Sequence, residues 1–143
     1  MKTVPCCPPM SSCLPSTTAL LVDDEAYFRR FVGQLLTRYG IGRVVEARDG
    51  QEALEVFPAV QPDVVILDIN MPRMDGIAAL RGLRQQAPGL PIVMLTSIAD
   101  EMMVERCVDE GATFFIRKDV PAHELSAELS AVLAEVPGTG LSA

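Results

Sequence analysis

This sequence has too few basic residues to suit a surface that binds nucleic acid or an anionic membrane. Its 143 residues include 12 Lys and Arg against 19 Asp and Glu, which gives a formal net charge of −7 at pH 7. An acidic chain repels phosphate groups, and the densest basic cluster is only Arg29–Arg30. We therefore expect no direct binding to nucleic acid or to a membrane.

Long apolar runs are also missing. The chain has no apolar stretch of the roughly 18 residues at which a transmembrane helix would be predicted. At the N-terminus, Pro5, Pro8 and Pro9 interrupt the chain before the apolar segment of a secretory signal could form. The cytoplasm is therefore the expected location.

Cysteine is scarce, and its distribution does not match a zinc site. Cys6, Cys7 and Cys13 lie near the N-terminus with no histidine nearby, which is a poor set of zinc ligands. We interpret them as reduced thiols, with redox or metal chemistry as the alternative. Cys107 lies in an apolar helical pattern and is expected in the core. The only histidine, His123, is expected to be exposed and to have no chemical role.

The composition that remains is that of one globular domain. Hydrophobic residues make up 49% of the chain and charged residues 22%, which is typical of a folded protein. Residues 1–16 are rich in Pro, Ser and Cys and have no periodicity, which predicts a disordered leader. We assign the domain to residues 17–137 and a short tail to residues 138–143.

Five short apolar runs predict the strands of a parallel sheet. Their apolar residues are mostly consecutive and often β-branched, as in strands that are buried on both faces. The runs are Thr18–Asp23, Val44–Ala47, Asp63–Asp68, Pro91–Thr96 and Phe114–Arg117.

Amphipathic segments between these runs predict five helices. The segments are roughly Glu25–Tyr39, 49–57, Gly76–Gln86, Ala99–Glu110 and Pro121–Val136. Gly40 is expected to end the first helix and Pro58 the second, with Asp49 as the N-cap of the second. The alternation of strand and helix predicts an α/β domain with a doubly wound parallel sheet.

Polar side chains stand at or just after the ends of four predicted strands. Asp23 and Asp24 follow the first strand, Asp68 ends the third, Thr96 ends the fourth and Lys118 follows the fifth. Ligands of open α/β sheets bind beyond the carboxyl ends of the strands. We therefore expect these side chains to converge at one edge of the sheet.

Three converging carboxylates would repel one another unless a cation neutralised them. Oxygen ligands with high negative charge suit Mg²⁺, and a nearby lysine and hydroxyl would complete a pocket for a phosphoryl group. A carboxylate can itself be the nucleophile and form an aspartyl phosphate. We favour Asp68 for this role because it ends the central strand, and the carbonyl of Asn70 could reach the metal.

Four segments resemble those of the response-regulator receiver family. They are LLVDDE (Leu20–Glu25), VVILDINMPRMDG (Val64–Gly76), MLTS (Met94–Ser97) and GATFFIRK (Gly111–Lys118), in the family's order. The resemblance covers residues 18 to about 136. It implies a flavodoxin-like (βα)5 fold with strand order 2-1-3-4-5, like that of a single-domain chemotaxis regulator.

The resemblance implies a metal site and a phosphoacceptor. Asp68 would accept the phosphoryl group, and Asp24 would bind Mg²⁺ directly. Asp23 would act mainly through bound water, and the backbone carbonyl of Asn70 would complete the protein's ligands.

The resemblance also implies a switch and partners. Thr96 and Lys118 would bind phosphoryl oxygens, and Phe115 would swing inward when Thr96 moves. The phosphodonor would be a sensor histidine kinase or a phosphotransfer protein. An unknown downstream protein would dock on the face formed by the fourth helix, fifth strand and fifth helix. Because the chain ends soon after Val136, we expect a stand-alone receiver, and apolar Ile98 predicts slow dephosphorylation.

The chain departs from the family pattern at two positions. Asp119 follows Lys118 where the family usually has a cis proline, and Phe115 replaces the commoner tyrosine. Two other functions remain open at this point. The first is a pseudo-receiver that binds partners without phosphorylation. The second is a haloacid-dehalogenase-type phosphohydrolase, which would require a second aspartate where this chain has Asn70.

Overall fold

The computed structural model of the chain describes residues 17–69, 76–96 and 101–136. The predicted leader over residues 1–16 and the predicted tail over residues 138–143 lie outside these ranges. Asn70 and Ile98, which were assigned roles above, also lie outside them.

Within the described ranges, five parallel strands alternate with five helices. The strands are β1 (Thr18–Val22), β2 (Arg43–Ala47), β3 (Val64–Asp68), β4 (Ile92–Thr96) and β5 (Phe114–Arg117). The helices are α1 (Ala26–Arg38), α2 (Gly50–Val60), α3 (Gly76–Gln86), α4 (Glu101–Asp109) and α5 (Ala122–Leu133). The sheet order is β2-β1-β3-β4-β5, so the predicted fold class and strand order are confirmed.

The core lies in two layers, one on each face of the sheet. Successive strand residues point to opposite faces, so Leu20 of β1 belongs to one layer and Leu21 to the other. Helices α2, α3 and α4 cover the first layer with residues such as Leu80 and Cys107, and α1 and α5 cover the second with residues such as Leu36. Cys107 is buried as predicted, and burial raises the pKa of its thiol.

The expectation of burial on both faces holds only for the three central strands. Every residue of β1, β3 and β4 is buried, whereas β2 and β5 are partly exposed. These two strands lie at the edges of the sheet, where a neighbouring strand covers only one side. The prediction of full burial from their short apolar runs is therefore wrong for β2 and β5.

Helix α2 continues past the proline that was expected to end it. Pro58 lies inside the last turn, and the helix ends at Val60. Proline removes its own N–H bond and its ring crowds the carbonyl four residues earlier, but the residues after it keep their N–H donors, so the last turn can still close. Gln61 then closes the helix in a left-handed conformation, donating to the Phe57 carbonyl at 2.9 Å. Asp49 is the N-cap as predicted and accepts from Glu52 N at 2.8 Å.

The last helix is shorter than its apolar pattern predicted. Pro121 is the N-cap residue of α5, with a ψ of 151°, and does not belong to the first helical turn. The helix ends at Leu133, although Val136 beyond it is still buried. His123 is exposed as predicted.

No helix in the described part of the chain combines the length and the apolar character that crossing a membrane requires.

Candidate functional site

The ends of β1 and β3 bring three carboxylates together. These strands are direct neighbours, with Val22 paired to Leu67, so the residues that follow them meet at the same edge. One carboxylate oxygen from each of Asp23, Asp24 and Asp68 lies within 4.8 Å of the other two. The structure therefore brings the three predicted acidic residues into one cluster.

The three acids differ in their exposure to water. Asp23 is fully buried and Asp68 is only 3% exposed, whereas Asp24 faces solvent. Burial raises the pKa of Asp23, and hydrogen bonds from the Lys118 ammonium and the Glu25 backbone N–H oppose this rise. Asp23 Oδ1 accepts from Glu25 N at 2.9 Å, and Oδ2 accepts from Lys118 Nζ at 2.9 Å.

Lys118 places one positive charge beside the acids. Its Nζ lies 2.9 Å from Asp23 Oδ2 and 3.5 Å from Asp68 Oδ2. Burial alone would lower the pKa of Lys118, but the hydrogen bond to Asp23 and the charge of Asp68 raise it above its ordinary value. The side chain therefore remains a cation at neutral pH. Its backbone N–H donates to the Thr96 carbonyl at 2.7 Å, which ties it to the end of β4.

The two residues predicted to switch lie on β4 and β5. Thr96 is fully buried at the end of β4, next to the strand that carries Asp68. Phe115 is half-buried, pairs with Met94 in the register of the sheet and packs against the core layer that α2, α3 and α4 cover. Thr96 therefore lies at the acidic edge of the sheet, and Phe115 lies on the adjacent strand, paired with the residue two positions before Thr96.

Two further residues contact Lys118, and the sequence analysis assigned neither of them a role. Glu25 Oε1 lies 3.2 Å from Nζ, and the centroid of the Phe28 ring lies 4.3 Å from the same nitrogen. Glu25 directly follows the acid pair, and this adjacency was the one available signal. Phe28 lies in the apolar stripe of the first predicted helix, and that pattern indicates a core residue.

Gly76 packs directly against the backbone of the strand that carries Asp68. Its N–H donates to the Ile69 carbonyl at 2.6 Å. A Cβ at residue 76 would lie 2.5 Å from Ile69 Cα, closer than real Cβ contacts allow. Glycine at this position therefore lets α3 start immediately beside the acidic cluster.

The residue after Lys118 forms a local ion pair. The described residues contain no cis peptide bond, so Lys118 and Asp119 are joined by a trans peptide. Arg117 Nε donates to Asp119 Oδ1 at 2.8 Å. This hydrogen bond holds the pKa of Asp119 below its usual value.

The donor set of the cluster fits a magnesium ion. Among the described residues, it offers carboxylate oxygens, two of them on buried side chains, and the Lys118 ammonium beside three negative charges. Mg²⁺ binds through one or two carboxylates and keeps several waters. The exposed side of Asp24 leaves room for such waters.

Comparison with known sequences gives a consistent set of relatives. The model of the response regulator receiver domain matches residues 19–130. The chemotaxis protein CheY of Bacillus subtilis is 37% identical over 103 residues, which are 72% of this chain and 86% of that protein. The ycf27 protein of Guillardia theta is 40% identical over 114 residues, 80% of this chain but only 44% of that protein. This chain thus spans about half the length of the ycf27 relatives that it matches.

Comparison with solved structures also finds chemotaxis proteins of the CheY type. The chemotaxis protein CheY4 of Vibrio cholerae matches with a TM-score of 0.73 and 32% identity, over 81% of this chain and 98% of that one. A chain of the CheX-CheY-BeF3-Mg+2 complex of Borrelia burgdorferi matches with a TM-score of 0.74 and 28% identity, over 82% of this chain and 89% of that one.

Proposed function

This chain belongs to the response regulator receiver family, and we propose that it is a phosphorylation switch whose phosphoacceptor is Asp68. The observation that supports this most strongly is the cluster of Asp23, Asp24 and Asp68 with the Lys118 ammonium 3.5 Å from Asp68. Phosphoryl transfer depends mainly on positioning and on neutralising charge. A cation held by the acids and an ammonium beside the acceptor would supply both.

The proposed reaction transfers a phosphoryl group from a phosphohistidine. A carboxylate oxygen of Asp68 attacks phosphorus, an O–P bond forms and the N–P bond of the donor breaks. The electron pair of that bond stays on the histidine nitrogen. Mg²⁺ would neutralise charge on the phosphoryl oxygens. Asp24, Asp68 and the carbonyl of Asn70 would hold the ion directly, and Asp23 would hold it through a water molecule. We propose no turnover beyond phosphorylation and dephosphorylation of the chain itself.

Phosphorylation would then change the surface formed by α4, β5 and α5. In this proposal Thr96 and Lys118 bind phosphoryl oxygens, and Phe115 moves inward to fill the space that Thr96 leaves. Phosphorylation would shift an existing equilibrium between two conformations. Because Phe115 has no hydroxyl group, its inward movement would act through packing alone.

The proposed partners are cytoplasmic proteins. A sensor histidine kinase or a phosphotransfer protein would supply the phosphoryl group. An unknown downstream protein would dock on the face of α4, β5 and α5. Met102 and Val108 of α4 support this assignment, because they are 72% and 60% exposed and offer apolar surface.

The direct test is phosphorylation by a small donor. The full chain is incubated with Mg²⁺ and acetyl phosphate, and the products are analysed by mass spectrometry and by treatment with hydroxylamine, which cleaves acyl phosphates. We expect an adduct on the wild type and on Asp109→Asn, which changes an exposed aspartate of α4, but none on Asp68→Asn. Absence of the adduct from the wild type, or its persistence on Asp68→Asn, would contradict the proposal.

A further inference from the structure

The Lys118 ammonium is shared between a buried and an exposed carboxylate. Its Nζ makes hydrogen bonds to Asp23 Oδ2 at 2.9 Å and to Glu25 Oε1 at 3.2 Å. The nearest oxygen of Asp68 is farther away, at 3.5 Å, and the Phe28 ring lies 4.3 Å from Nζ. In the unphosphorylated chain, the two hydrogen bonds of the ammonium are therefore made to acids other than the proposed phosphoacceptor.

The free energy needed to break the hydrogen bond to Lys118 differs between the two acceptors. The side chain of Asp23 has no exposed surface, so losing its partner would leave a buried charge unpaired. The side chain of Glu25 is 63% exposed, so water can replace the ammonium at little cost. Glu25 is therefore the partner that Lys118 can give up more easily.

A phosphoryl group on Asp68 would need one of the three N–H donors of Lys118. A phosphoryl group is a strong acceptor with a charge of about −2, and charge-assisted hydrogen bonds to it are strong. The Phe28 ring limits movement of the ammonium on the side of α1. Two of these N–H groups already bond to Asp23 and Glu25. When the ammonium moves toward the phosphoryl oxygens, the bond to the exposed Glu25 is therefore the one that it loses at the least cost.

We infer that Glu25 is a positioning residue that holds Lys118 in the unphosphorylated chain and releases it to the phosphoryl group. This inference rests on the proposed function of Asp68. It makes Glu25 a competitor of the phosphoryl group, so its carboxylate disfavours the phosphorylated state. The backbone of Glu25 has a separate role, because its N–H donates to Asp23 Oδ1 and is unaffected by a change of side chain.

The first experiment measures affinity for a phosphoryl mimic. Wild type, Glu25→Gln and Glu124→Gln are titrated with beryllofluoride in the presence of Mg²⁺. Glu124 lies exposed in the first turn of α5, so its substitution makes the same chemical change without a contact to Lys118. We expect Glu25→Gln to bind about 1.4- to fivefold more tightly, the range given by an exposed ion pair, and Glu124→Gln to match the wild type.

The second experiment measures the NMR signal of the Lys118 ammonium. Proton–nitrogen NMR spectra that select lysine side chains are recorded with and without beryllofluoride, and Lys118→Arg identifies the Lys118 signal. We expect Glu25→Gln to shift that signal in the free protein. In the beryllofluoride complex the signals of wild type and Glu25→Gln should coincide, because Glu25 is then no longer a partner. A purely structural role of Glu25 would not produce this pattern.

The outcomes separate the two proposals. If the wild type binds beryllofluoride but Glu25→Gln binds equally well or more weakly, the competition by Glu25 is overturned while the role of Asp68 stands. A shift of the Lys118 signal that persists unchanged in the complex overturns it as well. If the wild type binds no beryllofluoride at all, the proposed function fails and this inference fails with it.

Discussion

At the scale of single residues, the three carboxylates of the acidic cluster differ in how much folding free energy their charges cost. Asp23 is buried and depends on Lys118 and on a backbone N–H for compensation, whereas Asp24 is exposed to solvent. Removing one partner of a buried pair leaves the other charge unpaired, which is costly. Substitutions at Asp24 should therefore report on metal binding with little effect on folding, whereas substitutions at Asp23 would combine both effects.

Part of the site was predictable from single residues. Four residues stand at or just after the ends of apolar strands, and the structure brings them together: Asp23, Asp24, Asp68 and Lys118. Glu25 was missed because its role depends on a lysine 93 residues away along the chain.

Gly76 leads to the first prediction at this scale. A methyl group at this position would collide with the backbone of residues 68 and 69. Gly76→Ala should therefore lower the free energy of unfolding by about 1–3 kcal/mol, the usual cost of overpacking. It should also slow phosphorylation by acetyl phosphate, because the strand that carries Asp68 must shift. Denaturant unfolding and the rate of adduct formation measure the two effects.

Gly89 provides the matched control for this prediction. A Cβ at residue 89 would meet no atom within 4 Å. Gly89→Ala should therefore leave stability unchanged or raise it by up to about 1 kcal/mol, through the lower entropy of the unfolded chain. Equal stability losses in the two variants would show that the close approach at Gly76 is not the cause.

At the scale of elements, one arginine joins the ends of α3 and α4. Arg84 donates from Nη1 to the carbonyls of Ala87 at 3.1 Å and Pro88 at 2.8 Å. Its Nε donates to the Gly111 carbonyl at 3.1 Å. Gly111 has a φ of 104°, and a Cβ there would lie 2.8 Å from Arg84 Nε, so the turn after α4 is built around this side chain.

The second prediction follows from this arrangement. Arg84→Ala should lower the free energy of unfolding by about 1–3 kcal/mol, because hydrogen bonds from a charged donor are lost and backbone carbonyls lose their partner. Arg84→Lys should recover little of this loss, since an ammonium cannot reproduce the planar fork of donors. Unfolding in urea, followed by circular dichroism, measures both variants.

A neighbouring arginine of the same helix is the control. Arg81 pairs with the Glu110 carboxylate through Nη2 at 2.7 Å, and its side chain is 53% exposed. Ion pairs that water can reach contribute little to stability, so Arg81→Ala should cost less than Arg84→Ala. If Arg81→Ala lowered stability as much as Arg84→Ala, the loss of a positive charge would explain both results. The carbonyl contacts of Arg84 would then not be the cause.

At the scale of the whole molecule, metal binding and folding should be linked. The acidic residues converge only in the folded chain, so Mg²⁺ should bind the native state far better than the unfolded one. At a concentration tenfold above its dissociation constant, a ligand of the native state stabilises by about 1.4 kcal/mol. For a domain of this size, that corresponds to a rise in Tm of about 4–7 °C.

The third prediction is therefore a rise in Tm with magnesium chloride, measured against sodium chloride of equal ionic strength. Asp24→Asn should abolish most of the rise, because it removes the proposed direct ligand. In the presence of a chelator the same variant should melt slightly above the wild type, since one of three clustered negative charges is gone. A wild-type Tm that responds equally to both salts would argue against a specific metal site.

The sequence by itself determined the elements of this fold and the acids at its edge. Burial and backbone hydrogen bonding impose periodicities of about 2 and 3.6 residues, and these can be read locally. The five strands and five helices of the described ranges were therefore predicted to within a few residues. The position of Asp23, Asp24 and Asp68 followed from a rule about parallel strands that does not depend on detailed packing.

Only the tertiary structure decided which distant groups touch. It showed that edge position exposes β2 and β5, that α2 continues through Pro58, and that Glu25 and Phe28 surround the Lys118 ammonium. The exposure of the edge strands and the contacts of Lys118 depend on segments that lie far apart in the chain, and local patterns do not encode those distances. The charge balance of the site is therefore a property of the folded molecule, because hydrogen bonds and ion pairs weaken steeply with separation.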